Sequence, residues 1–375
     1  MRRPKIFLAA VGAVALLAAV LWVLIAPGLL VKYPDDLDQT AVARGTATLY
    51  VNPQTGEAAT SRLPLRIERN LKVIASSGSQ ATVQETSVER IGNQPPGRVL
   101  QRFVIDRSTV ENVADRAAYA YTPDHRVDRA GTYSVNFPFR TGDGPYRFFK
   151  NETETAYPFH RAGDEVDRNG VTLAPMRGML ADVPVSPVYR AALGLPEETT
   201  LAQLAPRLDG LDPEAMAERL LPALSSADRT AVQAMLTADV PVKYVLTAQT
   251  RLLVEPATGA IVSLDRVDQT ISAIPDLSRL AGLGTTLAKP EYAGDAVVQG
   301  TLAVLEQLPD TVAAPVLRLQ YSQTPASVAD IAAYAEDKAA EIRIVKTWVP
   351  FGLTLLGVAA LIGAAVTATS RRVTV

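Results

Sequence analysis

The sequence predicts an α+β membrane protein, with a transmembrane helix at each end of the chain and a mainly antiparallel β ectodomain, carrying a helical insert, between them. Three observations support this fold class. Two apolar blocks without charged residues lie at Ile6–Val31 and Trp348–Thr369. Several segments between them alternate apolar and polar residues with the period of two that is typical of strands. One internal stretch, Ser186–Thr237, shows helix-capping residues instead.

The composition fits a membrane protein and excludes several classes of site. The chain has 375 residues, of which 48% are hydrophobic and 20% are charged, and its formal net charge is −2. This near-neutral charge gives no reason to expect nucleic acid as a partner. The absence of cysteine excludes disulfides, thiolate metal sites and cysteine nucleophiles. The long middle region is large enough to bury a core without such crosslinks.

The first apolar block is interpreted as an uncleaved membrane anchor. A helix over Ile6–Val31 would extend roughly 39 Å, enough to cross a hydrocarbon core of about 30 Å. A secretory signal has an apolar run of only about 7–15 residues and ends in a small-residue cleavage site. The run here is longer and ends in Pro27-Gly28-Leu29-Leu30-Val31 without such a site.

Short basic flanks predict that both chain ends are cytoplasmic. Arg2, Arg3 and Lys5 precede the first block, and Arg371 and Arg372 follow the second. Positive residues in short flanks stay on the cytoplasmic side. The predicted order is a cytoplasmic N-terminus (1–5), a transmembrane helix (6–31), an extracytoplasmic domain (32–346) with a helical insert (about 186–237) and a juxtamembrane helix (about 325–346), a second transmembrane helix (347–369) and a cytoplasmic C-terminus (370–375).

Two details of the spans bear on partners. Arg343 and Lys346 precede the second block, on the side predicted to be external, so they depart from the charge rule. Small residues recur four positions apart in both blocks, at Ala9 and Ala13, Ala15 and Ala19, Ala360 and Ala364, and Gly363 and Thr367. This spacing allows close packing of helices, within one chain or in a homo-oligomer, and it is also typical of an alanine-rich composition.

Strands are predicted on both sides of the helical insert. Asn169-Gly170, between Val166 and Val171, indicates a tight hairpin. The other segments with strand-like alternation or composition are Gly45–Val51, Leu63–Ala75, Ala81–Ile91, Arg98–Asp106, Ala118–Tyr121, Thr132–Phe139, Tyr146–Phe149, Val240–Val254, Ala260–Ile274 and Val316–Tyr321. Their spacing, with turns between them, predicts an antiparallel arrangement.

Capping residues locate the helices. Thr200 is a candidate cap, Asp212 precedes a proline at the first helical position, and Ser225 begins a capping-box-like motif. Thr324-Pro325 begins a helix without an obvious stop before the second span, and Pro350 is expected to kink it. Gly282-Leu283-Gly284 is interpreted as a turn rather than part of a phosphate-binding loop.

The sequence carries no recognisable catalytic motif. The two histidines, His125 and His160, have no spacing typical of a metal site. Thr141-Gly142-Asp143-Gly144 is interpreted as a tight turn rather than a cation site. No catalytic, metal-ligating or cofactor-binding residue is therefore predicted, no cofactor is expected, and any ligand-binding residues are unknown at this stage.

A series of short motifs occurs in order along nearly the whole chain. They are Tyr33-Pro34 after the first span, the strand Gly45–Val51, Val127-Asp128-Arg129, Asn136-Phe137-Pro138-Phe139, Tyr146 with Phe148-Phe149, the hairpin Leu253–Val262 and the final span. In this order they resemble an actinobacterial membrane family described as the porin PorA family and as a domain of unknown function (DUF3068). The resemblance implies a pore-forming function.

The residues themselves favour a different function over a pore. A transmembrane β-barrel would need lipid-facing strands without a helical insert. Two apolar helices enclose no pore unless several copies assemble. We therefore expect a non-enzymatic cell-envelope protein whose ectodomain binds or passes a lipid or another apolar ligand. The alternatives are an envelope channel of the PorA type, as the resemblance implies, and a surface hydrolase that uses paired carboxylates. Membrane lipids are the expected partners.

Overall fold

A computed structural model describes residues 3–51, 58–200, 213–306 and 313–369. The strands are β1 Asp38–Val51, β2 Ala58–Ser77, β3 Gln80–Ile91, β4 Gly97–Asp106, β5 Tyr146–Lys150, β6 Thr155–Arg161, β7 Val166–Arg168, β8 Val171–Pro184, β9 Glu198–Thr200, β10 Asp239–Val254, β11 Ile261–Pro275 and β12 Ala314–Gln323. The helices are α1 Arg3–Leu30, α2 Pro187–Ala192, α3 Pro213–Leu220, α4 Ser226–Thr237, α5 Ser278–Leu287, α6 Ala296–Glu306, α7 Pro325–Arg343 and α8 Val349–Thr369, with a π turn at Ile344–Trp348.

The predicted α+β fold class is confirmed. The strands form one antiparallel sheet in the order β4-β3-β2-β1-β12-β11-β10-β8-β6-β5, with β7 paired to β8 and β9 to β10. The first and last strands, β1 and β12, are therefore paired neighbours near the middle of the sheet. The Asn169-Gly170 hairpin is confirmed, since both residues have positive φ, 55° and 79°, between β7 and β8. The strands predicted from Leu63 to Asp106 are confirmed as β2 to β4.

The sheet curls until its two edge strands are bridged by the segment between β4 and β5. The N–H of Arg102 in β4 donates to the carbonyl of Tyr119 at 3.0 Å, and the N–H of Tyr133 donates to Arg147 of β5 at 2.8 Å. The N–H of Asn112 links the two halves of the segment by donating to Thr132 at 2.7 Å. Edge strands with free backbone groups are avoided in this way. The strands predicted at Ala118–Tyr121 and Thr132–Phe139 are wrong, because this irregular segment makes only isolated bridges.

Arg129 fastens this closure from inside the protein. Its side chain is buried and donates to the carbonyl of Arg102 at 3.0 Å and to Asn151 Oδ1 at 2.6 Å. The guanidinium lies between the rings of Phe103 and Phe149, 4.8 and 5.3 Å from their centres. Burial lowers the pKa of Arg129 to about 10. We refer to the closed sheet as the barrel.

The helices α3 to α6 form a separate helical lobe. The lobe combines α3 and α4, which belong to the predicted insert, with a second excursion of the chain, at α5 and α6, that the sequence did not reveal. The helical prediction is wrong at Glu198–Thr200, which form strand β9. The apolar core of the lobe is built from Leu220, Leu224, Val232, Leu236, Val240, Leu283, Leu287, Tyr292 and Val298. The turn predicted at Gly282-Leu283-Gly284 is wrong, because these residues lie inside α5.

The capping predictions in this region have mixed outcomes. The predicted cap at Ser225 is confirmed, since its hydroxyl accepts from the N–H of Asp228 at 3.3 Å. Thr200 ends strand β9. The predicted cap at Asp212 lies outside the described residues.

The terminal helices pack against each other. Within the described chain, Ile6–Leu30 and Pro325–Thr367 are helices long and apolar enough to cross a membrane. They meet at two glycines: a side chain on Gly12 would lie 2.9 Å from the carbonyl oxygen of Gly357, so only glycine fits there. Among the small pairs noted in the sequence, Ala15 and Ala19 are buried. The two spans therefore pack closely against each other within one chain at this face.

A π turn joins α7 to α8 just before Pro350. The N–H of Val349 donates to the carbonyl of Ile344, five residues earlier, and Pro350 has no N–H to donate. The carbonyl of Val345 therefore loses both helical donors. The indole Nε1 of Trp22 in α1 donates to it at 2.8 Å. The kink expected at Pro350 takes the form of this π turn. The hydrogen bond from Trp22 attaches the turn to α1.

Candidate functional site

The barrel encloses a cavity beside its packed apolar core. This cavity, of about 260 Å³ and here called the barrel cavity, is lined by residues of β1 to β6 and β10 to β12 and of the closing segment. Protein interiors are ordinarily packed with few voids larger than a water molecule. A space of this size at the centre of the sheet is therefore a candidate binding site.

A second cavity connects the barrel cavity to the terminal helices. This mouth cavity has a volume of about 140 Å³ and is lined by Leu30 and Val31 at the end of α1 and by Ile342 and Val345 next to the π turn. The two cavities share the lining residues Gln39, Leu71, Asn136, Ile261 and Ile331. They therefore adjoin, and together they lead from the apolar helices into the barrel.

Tyr33 and Tyr334 line the mouth cavity from the two chain segments that enter the β domain. Tyr33 is 2% exposed, and its backbone is held by Arg107, which accepts from its N–H at 2.7 Å and donates to its carbonyl from Nε at 2.8 Å. Ile331, one turn before Tyr334 on α7, lines both cavities. The mouth is thus framed by α7 and by the chain that follows α1.

Buried charges line the barrel cavity. Arg69 Nη2 of β2 and Glu85 Oε2 of β3 form an ion pair at 2.6 Å. Lys150 Nζ, at the end of β5, contacts Glu152 Oε1 at 2.7 Å and Gln269 Oε1 at 3.2 Å. Pairing of this kind offsets part of the cost of removing ions from bulk water.

Glu89 differs from the other acids of the cavity, since it makes no ion pair within the described structure. Burial raises its pKa, and the negative charge of Glu152 raises it further. Burial also raises the pKa of the cavity-lining phenols Tyr121, Tyr189 and Tyr321, so these remain neutral hydrogen-bonding groups.

Several residues that line the two cavities carry a buried polar atom without a hydrogen-bond partner among the described residues. For the barrel cavity these atoms are Arg69 Nε, Gln101 Oε1 and Gln323 Nε2, and for the mouth cavity the hydroxyls of Tyr33 and Tyr334. Leaving such a group unpaired costs about 1–3 kcal/mol. These atoms therefore require water or a ligand that carries polar groups.

The alternation of residues along β2 and β3 indicates that Arg69 and Glu85 face the interior, although they were not predicted as site residues. On β2, the inward face carries Leu65, Ile67, Leu71 and Val73, and Arg69 falls in phase with them. On β3, Glu85 falls in phase with Ala81 and Val83 in the same way. A charged residue in register with the apolar face of a strand points to the interior, where it needs a partner or a function.

The residues considered for metal binding do not assemble into a metal site. His125 Nε2 contacts Glu154 Oε1 at 2.8 Å, and His160 lies on β6 with an exposed side chain. Within the described part of the chain, no three histidine, aspartate or glutamate residues are grouped to hold a metal ion. Asp143 belongs to a turn in which the N–H of Gly142 donates to the Tyr146 hydroxyl at 2.7 Å.

The motifs that carried the resemblance converge beside the cavities. The N–H of Phe137 donates to Gly259 in the β10–β11 turn at 2.8 Å, and its ring lies 4.4 Å from that of Phe148. Arg129 holds the closure of the barrel, and Tyr33 lines the mouth cavity. The segments are distant in sequence, and the structure brings them together around the closure of the barrel and its mouth.

Comparison with known proteins identifies one family. No curated protein matches the chain. The family model for porin PorA matches residues 5–366. This match and the two apolar helices identify a membrane protein. Because the match covers nearly the whole length, the chain belongs to the porin PorA family.

Proposed function

We propose that this protein is a non-enzymatic cell-envelope protein whose β domain lies outside the membrane and takes a lipid or another apolar ligand into its barrel through the mouth cavity. The observation that carries the proposal is the adjoining pair of cavities, which starts at the ends of the two apolar helices and continues into the barrel. A packed barrel would leave no such path.

The position of the mouth supports a ligand that comes from the membrane. Leu30 and Val31 end the first apolar helix, and Val345 precedes the apolar part of the second. An acyl chain leaving the bilayer would meet the apolar side chains of Leu30, Ile342 and Val345 at the entrance of this passage, so its entry would expose little apolar surface to water. We also propose that both chain ends are cytoplasmic and the β domain external, which the short basic flanks of the two spans favour.

The chemistry of the barrel cavity supports binding rather than hydrolysis. A hydrolase of the paired-carboxylate type needs one acid that donates a proton and one that stays ionised and free to act. Glu85 and Glu152 each contact a cation within 2.7 Å, which holds them in ion pairs. Polar atoms without partners would instead contact polar groups of an amphipathic ligand.

The test is native mass spectrometry of the full-length protein, purified in detergent from an actinobacterial host, with organic extraction of the bound material. We expect a stoichiometric lipid. Leu71→Trp, which fills the junction of the two cavities, should reduce the bound lipid to a small fraction. Ile74→Trp on the same strand is the matched control, because Ile74 is 40% exposed. Equal retention by both variants would overturn the proposal.

The family membership favours a second candidate, an envelope channel. A pore within the membrane would require several copies, because each chain supplies two apolar helices among its described residues. Conductance of the purified full-length protein in planar bilayers tests this candidate. Single-channel steps that Leu71→Trp leaves unchanged would favour a pore formed by assembled helices, whereas the absence of conductance would leave ligand binding as the function.

A further inference from the structure

The first transmembrane helix reaches further towards the β domain than the second. Gly12 of α1 and Gly357 of α8 lie at the same height, since a side chain on Gly12 would be 2.9 Å from the carbonyl oxygen of Gly357. A helix rises about 1.5 Å per residue. Measured from this glycine contact towards the β domain, Trp348 lies roughly 13 Å away and Leu30, the last residue of α1, roughly 27 Å away. The outer end of α1 therefore extends past Trp348.

The two tryptophans indicate where the hydrocarbon ends on this side. Trp348 is 60% exposed, and Trp22 Nε1 donates to the carbonyl of Val345 at 2.8 Å, so both indoles lie close to the π turn. Tryptophans concentrate at the boundary between hydrocarbon and water. Helix α8, whose 21 residues extend roughly 31 Å, crosses the hydrocarbon core without help from the residues before it. The part of α1 after Trp22, Val23–Leu30, is here called the α1 extension, and with this boundary it lies beyond the hydrocarbon.

The α1 extension is apolar, unlike α7, which also lines the mouth cavity. At the height of the extension, α7 carries four charged residues between Asp337 and Arg343, as expected of a helix in contact with water. The α1 extension has no charged residue. Five of its apolar side chains are more than half exposed, namely those of Val23, Leu24, Ile25, Leu29 and Leu30. Contiguous apolar surface outside the hydrocarbon marks a site of interaction.

One flank of the α1 extension leads to the mouth cavity, which Leu30 lines. Val23 lies on the same face of α1 as Leu30, because seven residues make almost two full turns. Ala26 is buried, so it marks the face of α1 that packs against the rest of the protein. Val23 and Leu30 lie on one side of Ala26 and Ile25 lies on the other, since each residue turns the helix by about 100°.

We infer that the flank formed by Val23 and Leu30 binds the acyl chain of a membrane lipid between the hydrocarbon and the mouth cavity. The inference rests on the proposed function, because it assigns a route to the ligand that the barrel takes up. The flank begins beside Trp22, at the edge of the hydrocarbon, and ends at the cavity, where Ile342 and Val345 add further apolar side chains. An acyl chain on this flank stays in apolar contact along the route. This continuity favours an acyl chain over a second protein, which would need no connection to the cavity.

Photocrosslinking at two neighbouring positions tests the route. Full-length protein in phosphatidylcholine nanodiscs carries p-benzoylphenylalanine in place of either Val23 or Ile25, and on illumination this residue bonds to C–H groups that it contacts. The two native side chains are 56% and 53% exposed and differ in height by about 3 Å, so Ile25 is the matched control. Intact mass spectrometry should show roughly tenfold more lipid adduct at position 23, because covering an aliphatic side chain favours the contact by about that factor.

Leu17, which is 60% exposed and lies closer to the glycine contact, is the positive control within the hydrocarbon. The same probe at this position should form lipid adducts at high yield. A yield at position 23 no higher than that at position 25 would overturn the inference, and if both matched position 17, hydrocarbon would surround the whole α1 extension. A protein–protein adduct from position 23 in place of a lipid adduct would assign the flank to a second copy or to another protein, which would also overturn it.

A charge on the flank tests whether the route supplies the barrel. Delipidated full-length protein is placed in phosphatidylcholine nanodiscs, and native mass spectrometry follows the appearance of bound lipid with time. Val23→Asp should slow this loading by roughly tenfold, because a carboxylate on the route loses hydration when an acyl chain passes. Ile25→Asp should leave the rate unchanged, and equal slowing by both variants would contradict the route.

The two measurements separate the inference from the proposed function. If the unmodified protein retains no lipid while position 23 still forms its adduct selectively, the proposed function fails and the flank remains a site for an acyl chain. If the barrel retains lipid while positions 23 and 25 react alike, the proposed function stands and the inference fails.

Discussion

The helical lobe and the barrel differ in what their interiors contain. The lobe encloses an apolar core, and none of its described residues has a buried side-chain polar atom without a partner. The Tyr292 hydroxyl, for example, donates to Asp228 at 2.7 Å and accepts from the N–H of Ser225 at 3.0 Å. The barrel encloses a cavity with ion pairs and unpartnered polar atoms, such as Gln101 Oε1.

Stability alone would favour an interior like that of the lobe, because unpaired polar atoms and voids both cost free energy. The barrel retains both features, and it retains them where a path leads to the apolar helices. The difference therefore supports the proposal that the barrel interior receives a ligand, whereas the lobe interior serves folding.

The largest expected difference concerns loss of apolar side chains. Leu283→Ala in the lobe, at a position 0% exposed, should lower the free energy of unfolding by about 2–5 kcal/mol, because it opens a void in a packed core. Leu71→Ala should cost less, since Leu71 already borders empty space. Denaturant unfolding in detergent micelles, followed by circular dichroism, measures both values.

Val297→Ala is the control for the lobe, because Val297 is 42% exposed and surface changes usually shift stability by less than about 0.5 kcal/mol. A cost for Leu71→Ala as large as that for Leu283→Ala would show that the barrel is packed as tightly as the lobe. In that case the cavity would no longer support a binding site in the barrel.

A smaller effect is expected from removing single polar atoms. Tyr292→Phe in the lobe deletes a hydroxyl with two partners and should cost about 0.5–1.5 kcal/mol. Gln101→Leu in the barrel deletes an oxygen without a partner among the described residues, and in the ligand-free protein it should change stability by less, or increase it. The same unfolding measurement compares the two. A clear loss of stability for Gln101→Leu would show that ordered water or a bound ligand satisfies this side chain.

Local patterns predicted much of the fold. Alternation of apolar and polar residues located β2, β3 and β4, and the Asn169-Gly170 turn fixed one hairpin, because these features depend on neighbouring residues. The closure of the barrel was not predictable in this way. It depends on Arg129 and on irregular backbone bridges, which have no period in the sequence.

The lobe and the cavity show two other limits. Helix α5 was missed because Gly282 and Gly284 suggested a turn, whereas packing of Leu283 against the other helices of the lobe overrides the low helix propensity of glycine. The cavity residues were missed because a charge such as Arg69 was not expected on an inward face. Whether an interior is filled or hollow depends on the curvature of the whole sheet, which no single strand encodes.

The smallest expected effect is on the pH dependence of stability, to which Asp228 in the lobe and Glu89 in the barrel contribute with opposite signs. In the lobe, a hydrogen bond from Lys289, followed by one from Tyr292, lowers the pKa of Asp228. Its contribution to stability is present above the ordinary aspartate pKa of about 3.9 and is lost as the pH falls below that value. In the barrel, burial and then Glu152 raise the pKa of Glu89. The contribution of Glu89 is complete below the ordinary glutamate pKa and is lost as the pH rises through the higher folded-state value.

Thermal unfolding in uncharged detergent between about pH 3 and pH 7 tests these opposite signs, since the ordinary carboxyl pKa values lie near the acid end of that range. Asp228→Asn should remove part of the loss of stability on the acid side. Glu89→Gln should remove part of the decline on the neutral side and leave the acid side unchanged. If Glu89→Gln instead weakened the protein equally at every pH, Glu89 would be an ionised and solvated residue. The cavity around it would then be as wet as the surface, which would argue against an apolar ligand reaching that depth.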